Sequence, residues 1–233
     1  MKNLSLISFV GVDKHTNLME ILPFIQYTPL ICEFGVLYSE SKRSIRYPDY
    51  EFCRNFIDWI ADYHIRSSLH LCGSEAINNF LEEDPSIIKL CNFAGRTQLN
   101  INIKNFTDYD ELSDKILDIA IKYNITVILQ KNATKQKFNE LVLKKLNNAK
   151  NIHFLNDSSG GFGREISKVD EPSANYFTGY AGGINPENVS KIVSLIEGNN
   201  PNNNPYYIDM ESGIRENNIF SLKKCKEILD KIK

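Results

Sequence analysis

The sequence has 233 residues, of which 42% are hydrophobic and 24% are charged, as in an ordinary globular protein. Its formal net charge of -2 gives no reason to expect binding to nucleic acid or to an acidic membrane surface. No apolar run approaches the roughly 20 residues that span a bilayer. The short apolar start has no small-residue cleavage site, so it predicts a strand rather than a signal peptide. Five scattered cysteines without a C-x-x-C motif predict reduced thiols in a cytoplasmic protein.

Short β-rich runs alternate with longer helical ones along the whole chain. This alternation is typical of parallel strands joined by right-handed helical crossovers. Eight runs are predicted strands, at residues 4–10, 30–38, 67–71, 96–101, 126–130, 152–156, 176–181 and 206–210. Seven stretches with apolar residues at helical spacing are predicted helices, at residues 17–26, 50–63, 75–82, 110–123, 135–148, 188–197 and 221–232.

The connection between the sixth and seventh strands differs from the others. Residues 157–175 are rich in Gly, Ser and Pro and predict a long loop in place of a helix. Eight βα units predict an α/β fold, a closed (β/α)8 TIM barrel that forms a single domain over residues 1–233. The rival open sheet usually carries a glycine-rich phosphate turn after its first strand, and only Gly11 stands in the short stretch after the first strand here.

Polar side chains follow every predicted strand. In a (β/α)8 barrel the active site is built from the loops at these strand ends. The polar residues that we consider as candidates for catalysis or substrate binding are Asp13, Glu33, Arg43, Arg46, His70, Cys72, Gln98, Asn100, Asp157, Asp209 and Glu211.

Two glycine-containing turns follow the seventh and eighth strands. Residues 180–188 end a strand in the pair Gly182 and Gly183 and then start a helix with an Asn-Pro pair, while the next turn carries Ser212 and Gly213. Glycine lets a ligand approach the backbone closely, and N–H groups at a helix start attract phosphate. Each turn alone also fits a tight turn that needs glycine, but their joint position predicts one phosphate site between them.

His70 and Cys72 stand two residues apart on one predicted strand and therefore share a face. Together with Glu33, Asp157 or Glu211 they have the donor atoms for a divalent metal. The alternative is a buried, hydrogen-bonded pair that lines the barrel. We favour this alternative and expect neither a metal nor a cofactor.

The late motifs resemble those of phosphoribosylanthranilate isomerase, a barrel enzyme of tryptophan biosynthesis. That family has a glycine pair followed by Asn-Pro-Glu-Asn-Val after strand seven, and residues 182–189 here read Gly-Gly-Ile-Asn-Pro-Glu-Asn-Val. It has Asp-Val-Ser-Ser-Gly-Val-Glu after strand eight, and residues 209–215 read Asp-Met-Glu-Ser-Gly-Ile-Arg. Residues 34–43 and 98–100 are similar to its second-strand and fourth-strand motifs. The resemblance is thin over most of the chain and closer in the last third.

The resemblance implies roles for individual residues. The family's general acid, an aspartate at the end of strand six, matches Asp157, and its carboxylate-binding arginine matches Arg43, with Arg46 as a close competitor. Its general base, a cysteine at the end of strand one, is replaced by Val10, and valine cannot move a proton. The chain therefore looks like a divergent branch of the family.

We therefore expect an isomerase-like enzyme that acts on a phosphorylated sugar or sugar adduct by general acid–base chemistry. The base would come from Glu33, Asp13 or Cys72, and His70 and Glu211 are further catalytic candidates. The residues expected to bind substrate or phosphate are Arg43, Arg46, Gln98, Asn100, Gly182, Gly183, Asp209, Ser212 and Gly213.

Two other functions remain open at this point. One is a metal-assisted sugar-phosphate epimerase or lyase that uses His70 with carboxylates. The other is a phosphosugar-binding protein that has lost its chemistry. In each case the expected partner is a small phosphorylated compound, bound by a monomer or a homodimer.

Overall fold

The structure, a computed structural model, describes residues 2–26, 31–146, 151–157, 166 and 169–232. Eight parallel strands pair in chain order, and the first strand also pairs with the eighth, so the ring is closed. The predicted (β/α)8 barrel is confirmed. Its strands are Leu4–Val10 (β1), Ile31–Tyr38 (β2), Arg66–Cys72 (β3), Arg96–Asn100 (β4), Val127–Lys131 (β5), Ile152–Asp157 (β6), Thr178–Ala181 (β7) and Tyr206–Met210 (β8).

Helices of the described chain pack around this ring. Because their apolar stripes face the strands, the main hydrophobic core lies between the two layers. The α-helices are Tyr50–Asp62 (α1), Ser74–Leu81 (α2), Pro85–Phe93 (α3), Tyr109–Lys122 (α4), Gln136–Lys145 (α5), Val189–Gly198 (α6) and Leu222–Lys231 (α7).

Two crossovers differ from the sequence prediction. The first predicted helix is a 3₁₀ helix, Leu18–Gln26, with Pro23 inside it, and proline cannot supply the N–H that a regular α-helix needs. The prediction also missed α3. Asp84 caps its start by accepting from two backbone N–H groups, and Pro85 occupies the first turn, which together form a strong helix start.

Two further segments complete the fold: the connection between β6 and β7 and the segment that follows β8. Most of the predicted loop between β6 and β7 lies outside the described residues, and the described part of residues 157–175 contains no helix. After β8 an unpredicted hairpin pairs Arg215–Glu216 (β9) with Ile219–Phe220 (β10). No helix in the described ranges is long and apolar enough to cross a membrane.

A buried ion pair crosses the interior of the barrel. Arg96 on β4 donates through Nε and Nη2 to the two carboxylate oxygens of Glu33 on β2, at 2.8 and 2.6 Å. Ser8 Oγ donates to the same carboxylate at 2.8 Å, and the Arg96 guanidinium lies 4.1 Å from the centroid of the Tyr207 ring. Four strands thus meet at one charged cluster inside the ring.

Removing the negative member of this pair tests its contribution to stability. The variant Glu33→Gln leaves the Arg96 guanidinium buried without the carboxylate that it hydrogen-bonds, so we expect it to lose about 3–5 kcal/mol of the free energy of unfolding. Urea denaturation measures the loss. The matched control is Glu83→Gln, which removes an exposed ion pair with Lys122 and is expected to change stability little. Equal unfolding midpoints for wild type and Glu33→Gln would contradict this account.

Candidate active site

The C-terminal ends of strands β2 to β8 open into one cavity of about 730 Å³. A cavity of this size suits a small-molecule ligand, and it lies at the end of the barrel where active sites are built. Most predicted site residues line it. They are Arg46, His70, Cys72, Gln98, Asn100, Asp157, Gly182, Gly183, Asp209, Glu211, Ser212 and Gly213.

Three predicted site residues lie outside the cavity lining. Glu33 belongs to the buried ion pair deeper in the barrel. The Asp13 carboxylate accepts from Arg215 at 2.9 Å and from a backbone N–H of β10 at 2.9 Å, so neither carboxylate is placed to act as a base on a ligand. Arg43 donates to backbone carbonyls of its own loop, and Arg46 is the arginine of this loop that reaches the cavity.

The two glycine turns touch each other at the mouth. A Cβ placed on Gly213 would lie 1.9 Å from the carbonyl oxygen of Ile184 and 3.0 Å from Cβ of Asn185. Gly182 and Gly183 have φ of 134° and 59°, values that residues with side chains rarely adopt. The turn after β8 therefore packs directly on the backbone of the turn after β7, as the sequence motifs predict.

Reciprocal asparagine hydrogen bonds fix the turn after β7. Asn185 Oδ1 accepts from the backbone N–H groups of Glu187 and Asn188 at 2.9 and 3.1 Å, and Asn188 Oδ1 accepts from the N–H of Asn185 at 2.9 Å. Asn188 Nδ2 also donates to the carbonyl of Gly183 at 2.9 Å. The regular helix begins at Val189, close to the predicted bound at 188 and three residues after the Asn-Pro pair, because these bonds first close a separate turn.

A cationic rim lies beside the turn after β8. Arg46 Nη2 lies 2.5 Å from Oε2 of Glu211, an ion pair that joins the loops after β2 and β8. Burial raises the pKa of Glu211, while Arg46 and Arg215 lower it. Arg46 is half exposed and, with Lys42, lies over the ring of Tyr47 at 5.5 and 5.2 Å from its centroid. Positive charge at this rim favours a ligand that carries an anionic group.

Two titratable side chains form the floor of the cavity. His70 Nε2 lies 3.9 Å from Oδ2 of Asp209, and both side chains are buried. Burial raises the pKa of Asp209 to about 7, although the charge of Arg96 opposes this. Burial and then the charge of Arg96 lower the pKa of His70 to about 3. The floor thus holds a neutral imidazole beside a carboxyl group that exchanges its proton near neutral pH.

Several polar atoms on the floor are unsatisfied. Within the described chain, His70 Nε2, Asp209 Oδ2 and Gln98 Oε1 have no hydrogen-bond partner. Buried polar atoms in folded proteins are normally hydrogen-bonded. All three atoms belong to residues that line the cavity.

The described residues supply no ligand set for the metal-assisted alternative. Nowhere in these ranges do three His, Cys, Asp or Glu side chains group closely enough to hold a metal ion. Cys72 Sγ instead accepts from Asn100 Nδ2 at 3.0 Å. Burial raises the pKa of this thiol to about 11, so it is protonated at neutral pH and is a poor metal ligand and a poor base.

Lys135 is the cavity residue that sequence reasoning missed most clearly. It is 9% exposed, it lines the cavity, and its Nζ donates to Oε1 of Gln130 at 2.6 Å. Burial lowers its pKa to about 8, although the negative charge of Asp157 opposes this. No motif marks this lysine. The available signal is its position a few residues beyond the end of β5, where barrel loops carry site residues.

Solved barrel enzymes share this architecture. The chain matches phosphoribosyl anthranilate isomerase from Thermococcus kodakaraensis with a TM-score of 0.58 and 16% identity, over 99% of both chains. It matches phospho-2-dehydro-3-deoxyheptonate aldolase from Thermotoga maritima with a TM-score of 0.58 and 14% identity, over 99% of this chain and 68% of that chain. At such low identity these likenesses show the fold alone.

Comparison of the sequence with models of protein families identifies the family of this chain. No curated protein matches this sequence closely enough to count as a relative. The family model described as N-(5'phosphoribosyl)anthranilate (PRA) isomerase matches residues 110–231, which is just over half of the chain and includes both glycine turns. The chain belongs to the phosphoribosylanthranilate isomerase family.

Proposed function

We propose that this chain is an isomerase-type enzyme that acts on a phosphorylated sugar or sugar adduct by general acid–base catalysis. The observation that carries the proposal is the contact of Gly213 with the backbone of Ile184, because it sets two glycine turns side by side at the mouth. The loops after strands seven and eight are where barrel enzymes frequently bind phosphate. Family membership supports the same reaction class.

The phosphate is held between these two turns. Gly182, Gly183 and Gly213 have no side chains, so a phosphate oxygen can approach their backbone N–H groups. Ser212 lines the same part of the cavity and adds a hydroxyl donor. Arg46 and Lys42, in the loop after β2, bind a second anionic group of the substrate.

Acid–base catalysis needs one group that removes a proton from carbon and another that protonates an oxygen. Asp157, at the end of β6 and in the cavity lining, is the general acid, in agreement with the resemblance. Asp209 replaces the missing strand-one cysteine as the base, because its pKa of about 7 lets it accept a proton near neutral pH. Val10, at the cysteine position, packs in an apolar cluster with Leu37.

Removing the acid tests the catalytic assignment. Asp157→Asn is expected to lower turnover of N-(5'-phosphoribosyl)anthranilate by about 10²–10⁴-fold, the usual contribution of a positioned acid or base. The wild-type chain is expected to restore growth of a strain that lacks this isomerase, and Asp157→Asn is expected to fail. Asp62→Asn, on an exposed position of α1, is the matched control.

The other possible results of these experiments would contradict parts of the proposal. A folded Asp157→Asn protein with wild-type turnover would remove Asp157 from the mechanism. A folded wild-type chain that neither restores growth nor converts the anthranilate adduct would exclude that substrate. Phosphate binding without conversion of any phosphorylated sugar or sugar adduct would favour a binding protein over an enzyme.

Adding one methyl group tests the phosphate site. In Gly213→Ala the new Cβ collides with the carbonyl of Ile184, so the two turns must separate. We expect its affinity for inorganic phosphate, measured by calorimetry, to fall at least about tenfold, or about 1.4 kcal/mol. Gly198→Ala is the matched control, because a Cβ there meets no atom within 4 Å.

A milder variant guards against loss of the fold. Ser212→Ala removes only a hydroxyl group and is expected to weaken phosphate binding while the thermal unfolding temperature stays close to that of wild type. Wild-type phosphate affinity in both Gly213→Ala and Ser212→Ala would contradict the proposed phosphate site.

A further inference from the structure

Lys135 has no role in the acid–base scheme, although it is buried in the lining of the cavity. It lies in a short 3₁₀ turn, Ala133–Lys135, that follows β5. Two other lysines that line the cavity, Lys42 and Lys104, are exposed, whereas Lys135 is buried. A lysine side chain is rarely buried unless its charge is paired, so its place in the cavity wall asks for a physical explanation.

Lys135 donates a hydrogen bond to a neutral group. Its Nζ lies 2.6 Å from Gln130 Oε1, an amide oxygen. Burial lowers its pKa to about 8, and the negative charge of Asp157 opposes this. At pH 7 roughly one molecule in ten then carries an uncharged amine, against roughly one in 10³ for a lysine of ordinary pKa. An uncharged buried amine is a nucleophile.

We propose that Lys135 forms an imine with the carbonyl carbon of a phosphorylated sugar that is held through its phosphate by the turns after β7 and β8. This proposal rests on the phosphate site of the proposed function. It adds a covalent step that the acid–base scheme does not require.

The spacing around the barrel suits this reaction. Lys135 follows β5, and the glycine turns follow β7 and β8, two and three strands further round the ring. Two strand spacings correspond to roughly 10 Å along the wall. A sugar phosphate of five carbons, together with the flexible lysine side chain, can span this length, so its phosphate and its carbonyl carbon can occupy the two places at once. Asp157, at the end of the intervening strand β6, lies between them.

The step balances without any further reagent. The Nζ lone pair forms a bond to the carbonyl carbon, the electron pair of the C=O bond moves to oxygen, and a proton passes from the nitrogen to that oxygen. The carboxyl group of Asp157 then gives a proton to this hydroxyl group, the C–O bond breaks, and water leaves. The product is a protonated C=N linkage to Lys135, and addition of water reverses the sequence. This cationic linkage makes the neighbouring C–H bond more acidic, which is the bond that Asp209 attacks.

Reductive trapping tests the proposal without any need for turnover. The protein is incubated at pH 7 with ribose 5-phosphate and cyanoborohydride, which reduces an imine to a stable secondary amine, and the labelled peptides are mapped by mass. We expect one adduct, on the peptide that contains Lys135, formed roughly 10²-fold faster than on exposed lysines. Its rate is expected to rise with pH up to about 8 and then level off, because the amine loses its proton in that range.

Controls separate this site from general lysine reactivity. Lys135→Arg is expected to abolish the adduct, whereas Lys104→Arg, an exposed residue of the same cavity, is expected to keep it. Inorganic phosphate is expected to slow the labelling, and ribose without phosphate is expected to label poorly. Adducts spread evenly over exposed lysines of the wild-type protein would overturn the proposal, whether or not Lys135→Arg folds.

The trapping experiment and the isomerase assay can fail independently of each other. If Lys135 is trapped specifically but the protein does not convert the anthranilate adduct, that substrate is excluded and the imine proposal is supported. If the protein converts the adduct in a reaction that depends on Asp157, but Lys135 is not trapped, the imine proposal is wrong and the proposed acid–base function is supported.

Discussion

The pairing of β1 with β8 is the constraint on which the rest of the structure depends. It closes eight parallel strands into a ring, so that the C-terminal ends of β2 to β8 face one cavity. Residues far apart in the sequence, such as Arg46 and Glu211, become neighbours only through this closure. An open sheet of the same strands would leave β1 and β8 at opposite edges and divide the cavity.

The interior of the ring determines the chemistry at its mouth. Glu33 and Arg96 neutralise each other below the cavity, and the charge of Arg96 also acts on His70 and Asp209 above it. Barrel interiors are usually filled by branched apolar residues. Here a buried charge pair supports a floor on which one carboxyl group titrates near neutral pH. Under the proposed function, this carboxyl group on the neighbouring strand β8 is the base in place of the cysteine that Val10 replaces on β1.

The sequence was sufficient for the fold and for part of the site. β-rich runs at regular spacing predicted all eight strands, and the two glycine motifs predicted turns that do touch. The sequence did not predict how deep a side chain lies inside the barrel. Glu33 was expected at the mouth, but the residue that pairs with it, Arg96, lies 63 positions away. Lys135 was missed because burial of a lysine depends on neighbours such as Gln130 that only the folded loop brings close.

The choice between Arg43 and Arg46 illustrates the same limit. Both follow β2 within a few residues, and no periodicity applies in a loop, so sequence position alone could not rank them. In the structure, Arg43 donates to backbone carbonyls of its own loop, while Arg46 pairs with Glu211 across the mouth. Local hydrogen bonding therefore decides which arginine is available to a ligand.

A crystal structure of the protein grown with a phosphorylated sugar such as ribulose 5-phosphate tests the central claim most directly. The account predicts a phosphate group between the backbone at Gly183 and Gly213, with the sugar carbons extending across the cavity toward Asp157. A phosphate bound at another place on the chain, with the two glycine turns apart or empty, would contradict it.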